Sequence, residues 1–522
     1  MAFVSELLAN LVFVAIPYIL HRNGLATEHF PMERRTSPLE SLPDETLTQV
    51  LAYLEWYEIL QVRQCCRRLD RVSKDRSVWL AVLLRYYDTA LPRPFLLPKP
   101  LRYCSSSDLE RIVCNWFSVR GLADPDLAQK KEVTPPDTWP RGFALGPLPG
   151  GRVFMHATPD GNIHCHDIEN LGNPASLFIP TPFPSYTESS HGIITRMSMD
   201  ILTTQADGIP TEDRLFPSTF SLAAIWEAHN IVNLSEAPLR VFGVYQVEVQ
   251  LGEDGSVAGY TAVQLALIRE RAPQDALLGE CSLYGSNLAY HSQVGCRRAI
   301  VIVDWTSIPH LTSAKYPRVY LPDIHPAEFS LLPGKHISVL QDRAVLIYNW
   351  GAVHPKAHPP DPRLLRRLLP ALPKWKTTLP SFGGAFPPLS PYLFNDTVRL
   401  IVPTSVGLKG IVIPLRFLTQ VSDSEAIVSP SESHPTTVLL IDRDFGCADG
   451  LSFGFRKGIS ADYPDTHVWQ YGWPDEMQTG TLKVYSLPSH VYGAATALTI
   501  HCIEQKNRLV SVLESQCQII DF

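Results

Sequence analysis

The segment Leu39-Glu40-Ser41-Leu42-Pro43-Asp44-Glu45-Thr46-Leu47-Thr48-Gln49-Val50-Leu51-Ala52-Tyr53-Leu54 carries the clearest helical signal in the chain. Apolar residues fall at Leu47, Val50, Leu51 and Leu54, the i, i+3, i+4, i+7 spacing that places them along one side of a helix. Pro43 suits the first helical position, where the missing N–H costs nothing. Asp44 and Glu45 then complement the positive end of the helix dipole. A helix opening at Pro43 is therefore expected.

Two further patterns come next on tight connections. Ile59, Leu60, Val62, Cys65, Cys66, Leu69 and Val72 form the second; Val78, Trp79, Val82, Leu83 and Tyr86 form the third. Together they predict a compact three-helix unit over residues 39–88. Residues 89–138 read as a linker: a stiff proline-rich spacer over Leu91–Pro100, then a helix at 107–119. Ser107-Asp108-Leu109-Glu110 has the form of a capping box for that helix, and Leu109, Ile112, Val113 and Trp116 form its stripe.

From 139 to 522 the period changes to two. Alternating segments such as Ile194–Asp200, Arg240–Gln250, His336–Leu340 and Val398–Val402 read as strands, with almost no helix between them. Asp160-Gly161 and Asp254-Gly255 mark two-residue hairpins. Several strands end in Asp or Trp before a turn, as outer strands of propeller blades do, although no fixed repeat period is present. The fold class expected is α+β multidomain: a helical N-terminal unit, then a mainly antiparallel β domain. A β-propeller is the leading architecture, with a β-sandwich or two β domains as alternatives.

Within the β part, residues 352–394 hold ten prolines and six basic residues against one acid, Asp361. A long loop between blades is expected there. Arg366 and Arg367 are candidate contacts for an acidic or phosphorylated target, because paired guanidinium groups suit bidentate oxyanion binding.

Composition fixes the broad class. The chain has 522 residues, 45% hydrophobic and 19% charged, with 45 prolines against 30 glycines and a net charge of −7. That is a folded, segmented chain without the global basic excess of a nucleic-acid binder. Ten cysteines with no C-x-x-C pair read as reduced thiols of a cytoplasmic or nuclear protein. Residues 1–38 form a leader whose apolar run, Leu7 to Leu20, is broken by Asn10 and Pro17. It is short for a membrane span, so membrane anchoring through 7–20 is the alternative to a soluble location.

The Leu42-Pro43 start, the Leu47–Leu54 stripe, the Val62-x-x-Cys65-Cys66-Arg67-Arg68-Leu69 centre and the Val78-Trp79 end occur in order, and together they resemble the F-box. The resemblance implies a non-enzymatic adaptor that binds the Skp subunit of a cullin ubiquitin ligase and presents a protein target. By that likeness Leu42, Pro43, Leu47, Val50, Leu51, Leu54, Leu60 and Val62 meet the Skp adaptor, while Cys66, Leu69 and Trp79 form the core of the unit. The surplus of apolar side chains in so small a unit agrees with a partner-covered surface. A scaffold role without target ubiquitination is the rival within the same family.

Two other motifs bear on catalysis and metal binding. Gly450-Leu451-Ser452-Phe453-Gly454 fits G-x-S-x-G, and a hydrolase using Ser452 is the enzymatic alternative. The residues after Gly454 do not continue as the helix a nucleophile elbow needs. His164-x-His166 places two imidazoles on one strand face, and a two-residue hairpin at Asp160-Gly161 sets His156 opposite Cys165 on the other face. No metal site and no cofactor are expected, and no Walker or dinucleotide loop occurs.

Overall fold

The structure is a computed structural model. It describes residues 42–118 and the greater part of 129–521. Left aside are 1–41, 119–128, 134–142, 171–172, 184–190, 207, 231–238, 272–279, 295–296, 309–315, 325, 342, 357–370, 381–388, 420–433, 444, 446–449, 463–464, 475–481, 488–498, 507, 513–516 and 522. The leader, Arg366 and Arg367 thus lie outside the described residues. The chain forms two compact units: residues to Leu91 with Arg102–Ser118, and Pro92–Leu101 with Val119–Phe522.

The first unit is helical: α1 (Asp44–Ala52), α2 (Trp56–Val62), α3 (Arg67–Ser73), α4 (Arg76–Thr89) and α5 (Ser106–Phe117). The second apolar pattern, expected as one helix, is two. The chain turns at Arg63–Cys66, and Cys66 is extended (φ −157°, ψ 162°) as the N-cap of α3. Cys66 is consequently exposed rather than in the core. The capping box of α5 sits two residues earlier than expected: Ser105 accepts from the Asp108 N–H, and Asp108 accepts from the Ser105 N–H. Glu110, freed from capping, instead receives both terminal nitrogens of Arg63 at 2.7 and 3.0 Å and ties α5 to the end of α2.

The core of the unit is Val78, Trp79, Val82 and Leu83 of α4, all fully buried, with Leu47, Leu51, Leu54 and Ile59 packed within it. Trp79 satisfies its indole N–H on the Ser73 carbonyl at 2.9 Å. Arg85 donates to the Ala52 and Leu54 carbonyls at the end of α1, groups a helix terminus leaves unpaired.

The second unit is a β-propeller of seven four-stranded antiparallel sheets. Blade 1 runs from Phe143–Pro147 to Ser176–Ile179, blade 2 from His191–Asp200 to Val257–Arg271, and blade 3 from Cys281–Tyr284 to Arg318–Pro322. Blade 4 runs from Glu328–Leu332 to Trp375–Thr378, blade 5 from Tyr392–Phe394 to Thr436–Ile441, and blade 6 from Gly450–Phe453 to Lys483–Leu487. Blade 7 is composite. Its first three strands, Thr499–Ile503, Arg508–Val512 and Cys517–Asp521, are C-terminal, and the fourth is Gln129–Val133. The strand that closes the ring therefore comes from the stretch expected to be linker.

The interfaces from blade 1 to blade 5 are apolar layers. Met155 and Ile163 of blade 1 pack with Phe220, Leu222 and Trp226 of blade 2, and the Trp226 indole donates to the Gly161 carbonyl at 2.7 Å. Phe242 of blade 2 meets Tyr290 of blade 3 with ring centroids 4.2 Å apart. The same layering joins blades 3 and 4 and blades 4 and 5.

Residues Pro92–Leu101, which take in nearly all of the stiff spacer expected at Leu91–Pro100, are part of the propeller unit. Arg93 and Leu393 exchange backbone hydrogen bonds at 2.7 Å in each direction, and Leu97 donates to the Leu215 carbonyl at 2.8 Å. Phe95 and Leu97 are fully buried. Leu393 lies in blade 5, Leu215 between the first two strands of blade 2. Four residues reach no more than about 14 Å, so the segment passes across the axis, not around the rim. It spans the end of the axis where first strands turn into second ones.

The expected insertion at 352–394 is also not one loop. Trp375–Thr378 pairs with Ala344–Ile347 as the outer strand of blade 4, and Tyr392–Phe394 is the first strand of blade 5. Prolines crowd the sequence on either side of Trp375–Thr378.

Candidate functional site

The eight residues expected to meet an adaptor divide by their place in the helical unit. Leu47, Leu51 and Leu54 of the α1 stripe, and Val62 of α2, are 2–8 % exposed and serve its own core. Leu42, Val50 and Leu60 are half-buried, and Pro43 is exposed. Of the expected core residues, Trp79 is fully buried, Leu69 half-buried and Cys66 exposed.

Tyr53, 68 % exposed, and Tyr57, 43 % exposed, join the outward-facing set. Val50 of α1 and Tyr53, its C-cap, are three residues apart; Tyr57 and Leu60 are three apart on α2. That spacing puts each pair on one side of its helix. The readable signal was a second stripe, Val50–Tyr53–Tyr57–Leu60, overshadowed by the stronger leucine stripe beside it.

Polar contacts hold this surface in place. Asp44 receives Arg68 and Arg71, and the hydrogen bond from Arg68 holds its carboxyl below the usual range. Arg68 also donates to the Leu42 carbonyl, which fixes the approach to Pro43. At the start of α2, Glu55 is gripped by the buried Tyr86 hydroxyl, whose pKa burial raises. Trp56 stacks on Phe117 with centroids 6.4 Å apart.

In the propeller, Ser452 has a definite place. It lies inside the first strand of blade 6, and its hydroxyl accepts the Cys502 N–H of blade 7 at 3.2 Å. Gly454 leads into a second strand, Lys457–Asp462, so G-x-S-x-G here spans a β-turn-β unit instead of a nucleophile elbow. Blade 2 repeats the device: Ser198 accepts the Leu283 N–H of blade 3 at 3.0 Å. Ser282 of blade 3 accepts the Leu331 N–H of blade 4 at 2.9 Å. These serines stitch neighbouring first strands together.

The histidine expectation is corrected. Thr158 and Asn162 bracket a three-residue loop in which only Gly161 takes positive φ (83°). The extra residue moves the register by one. His156 stands opposite His164, not Cys165. His156 and His166 approach to 2.7 Å between ring nitrogens, and the His164 ring lies 5.4 Å from that of His156. Burial lowers the pKa of His156 to about 3 and of His166 to about 4, with the neighbouring rings adding to it. Among the described residues no three His, Cys, Asp or Glu side chains are arranged to hold a metal ion.

Residues 39–85 match the F-box-like family. No curated protein matches the chain. Among solved structures, the β-propeller domain of Myceliophteria thermophila Cps50 (Swd1) is 11% identical, with 75% of this chain and 100% of that one covered, at a TM-score of 0.41. The RRP9 WD40 repeats are 10% identical over 75% and 97%, at 0.36. The fold assignment rests on the strand order, not on these weak likenesses. The protein is thus a propeller protein with a helical N-terminal unit. More particularly, it carries an F-box-like domain at residues 39–85 followed by a seven-bladed β-propeller.

Proposed function

We propose that this chain is the substrate receptor of a Skp–cullin ubiquitin ligase. The helical unit docks on the Skp adaptor, the propeller receives a protein target, and associated subunits transfer ubiquitin. The observation that carries this reading is the apolar surface of Leu42, Pro43, Val50, Tyr53, Tyr57 and Leu60 on a domain matching the F-box-like family. Two tyrosines left outward on a small unit with a filled core suit anchors at a protein interface. Leu47, Leu51, Leu54 and Val62 act indirectly by shaping that surface from within.

Co-purification of the full chain with the Skp adaptor tests the proposal. Wild type is expected to retain adaptor. Leu42→Ala with Pro43→Ala, and separately Tyr53→Ala with Tyr57→Ala, are expected to weaken retention at least tenfold with unchanged circular dichroism. Failure of the wild type to retain adaptor overturns the docking reading. Ubiquitin transfer to a propeller-bound protein in a reconstituted ligase separates a receptor from a scaffold.

A further inference from the structure

The first strands of the blades surround the propeller axis, and side chains along a strand alternate between its two faces. Ser198 and Ser282 point from their strands toward the next blade, as their hydrogen bonds to Leu283 and Leu331 require. The residues two positions earlier share their face: Arg196 in blade 2 and Glu280 at the start of blade 3. Glu328 holds the same rank in blade 4, two before Ser330. Three successive blades thus present Arg, Glu and Glu at one level near the axis.

Their pairing is incomplete. Arg196 Nε lies 3.3 Å from Glu280 Oε1, with each side chain about one-third exposed (35% and 33%). Glu328 is 8 % exposed, and among the described residues its carboxylate has no hydrogen-bond or ion-pair partner. It holds the matching position one blade beyond the Glu280–Arg196 pair, and burial, then the Glu280 charge, raises its pKa against the lowering pull of Arg196. A largely buried side chain whose carboxyl finds no protein donor is costly, and a second acid near it adds to the cost. The Arg196 guanidinium pairs with Glu280 alone. The other end of the axis is spanned by Arg93–Leu97.

We infer that Glu280 and Glu328 form a receptor for a basic side chain, a lysine or arginine of the protein bound by the propeller. The entering cation supplies the donors that Glu328 lacks, and Arg196 marks the edge of the site by holding one oxygen of Glu280. The inference deepens the receptor reading by stating the chemistry of the target.

The test is selection of random dodecapeptides displayed on phage against the purified full chain, followed by fluorescence anisotropy on the winners. Selected peptides are expected to share a lysine or arginine at one position. Replacing that residue by glutamine, or Glu328 by Gln, is expected to weaken binding about tenfold, the scale of one charge-assisted hydrogen bond. Arg196→Gln should act in the opposite direction and tighten binding, because it releases Glu280. Glu328→Gln should also keep or raise the melting temperature, which separates lost binding from lost folding. Winners without a shared basic residue, or winners indifferent to Glu328→Gln and Arg196→Gln, overturn the inference. Adaptor co-purification is read separately, so this site can fail while the docking surface stands.

Discussion

His156, His164 and His166 show how single side chains set the pH tolerance of blade 1. In the folded chain the first and last titrate at about 3 and about 4, below the ordinary imidazole value of about 6.5. Both are neutral in folded and unfolded chains above that value, so no penalty exists there. As pH falls through 6.5 the unfolded chain takes up protons that the folded one refuses, and stability is lost. At pH 5 the loss is roughly 2 kcal/mol for each of the two rings. Urea midpoints followed by tryptophan fluorescence should drop between pH 7 and pH 5, and His156→Phe should flatten that drop. An unchanged slope in the variant would count against this account. The cluster was half legible: His164-x-His166 announces one face, but only the loop length after Ala157 brings His156 to it.

At the scale of elements, the first strands are short and joined by serines. Ser282→Ala removes the acceptor of a buried Leu331 N–H and should cost about 1 kcal/mol; Ser198→Ala and Ser452→Ala should cost similar amounts. Because the three lie at different blade junctions, the triple variant should lose close to the sum. Chemical denaturation of each variant measures this, and a neutral Ser282→Ala would refute the stitching role. These same strands explain what sequence periodicity passes over. Cys281–Tyr284 and Tyr392–Phe394 are too short for an alternation to register. Outer strands such as Trp375–Thr378 alternate only between half-buried and exposed, because one edge has no neighbour in the blade. The central strands are different. His336–Gln341 and Ala344–Asn349 are buried on both faces and read clearly as apolar runs.

At the scale of the molecule, blade 7 joins the two ends of the propeller segment. Gln129–Val133 pairs with Cys517–Asp521 in register from Gln129↔Asp521 to Val133↔Cys517. Closing the ring this way leaves no open blade edge between first and last sheets. Deletion of residues 129–133 should therefore destabilise the whole propeller, not blade 7 alone. Trypsin should cleave the deletion variant throughout the propeller segment at least tenfold faster than wild type. Cleavage confined to blade 7 would show the blades to be independent. Among the described residues no helix is long and apolar enough to cross a membrane.

The sequence alone determined the helical unit, its family likeness and the mainly β character of the rest of the chain. These are local properties, written in spacings of three, four and two residues that repeat within one element. Tertiary structure decided the number of blades, the closing strand at 129–133 and the crossing of Arg93–Leu97 over the axis. It also decided which apolar residues of α1 and α2 face inward and which, with Tyr53 and Tyr57, are left outward. Those outcomes depend on contacts between residues tens to hundreds of positions apart. Leu47 and Val50 are equally apolar in the sequence, and only the packing of α4 beneath one of them makes it core.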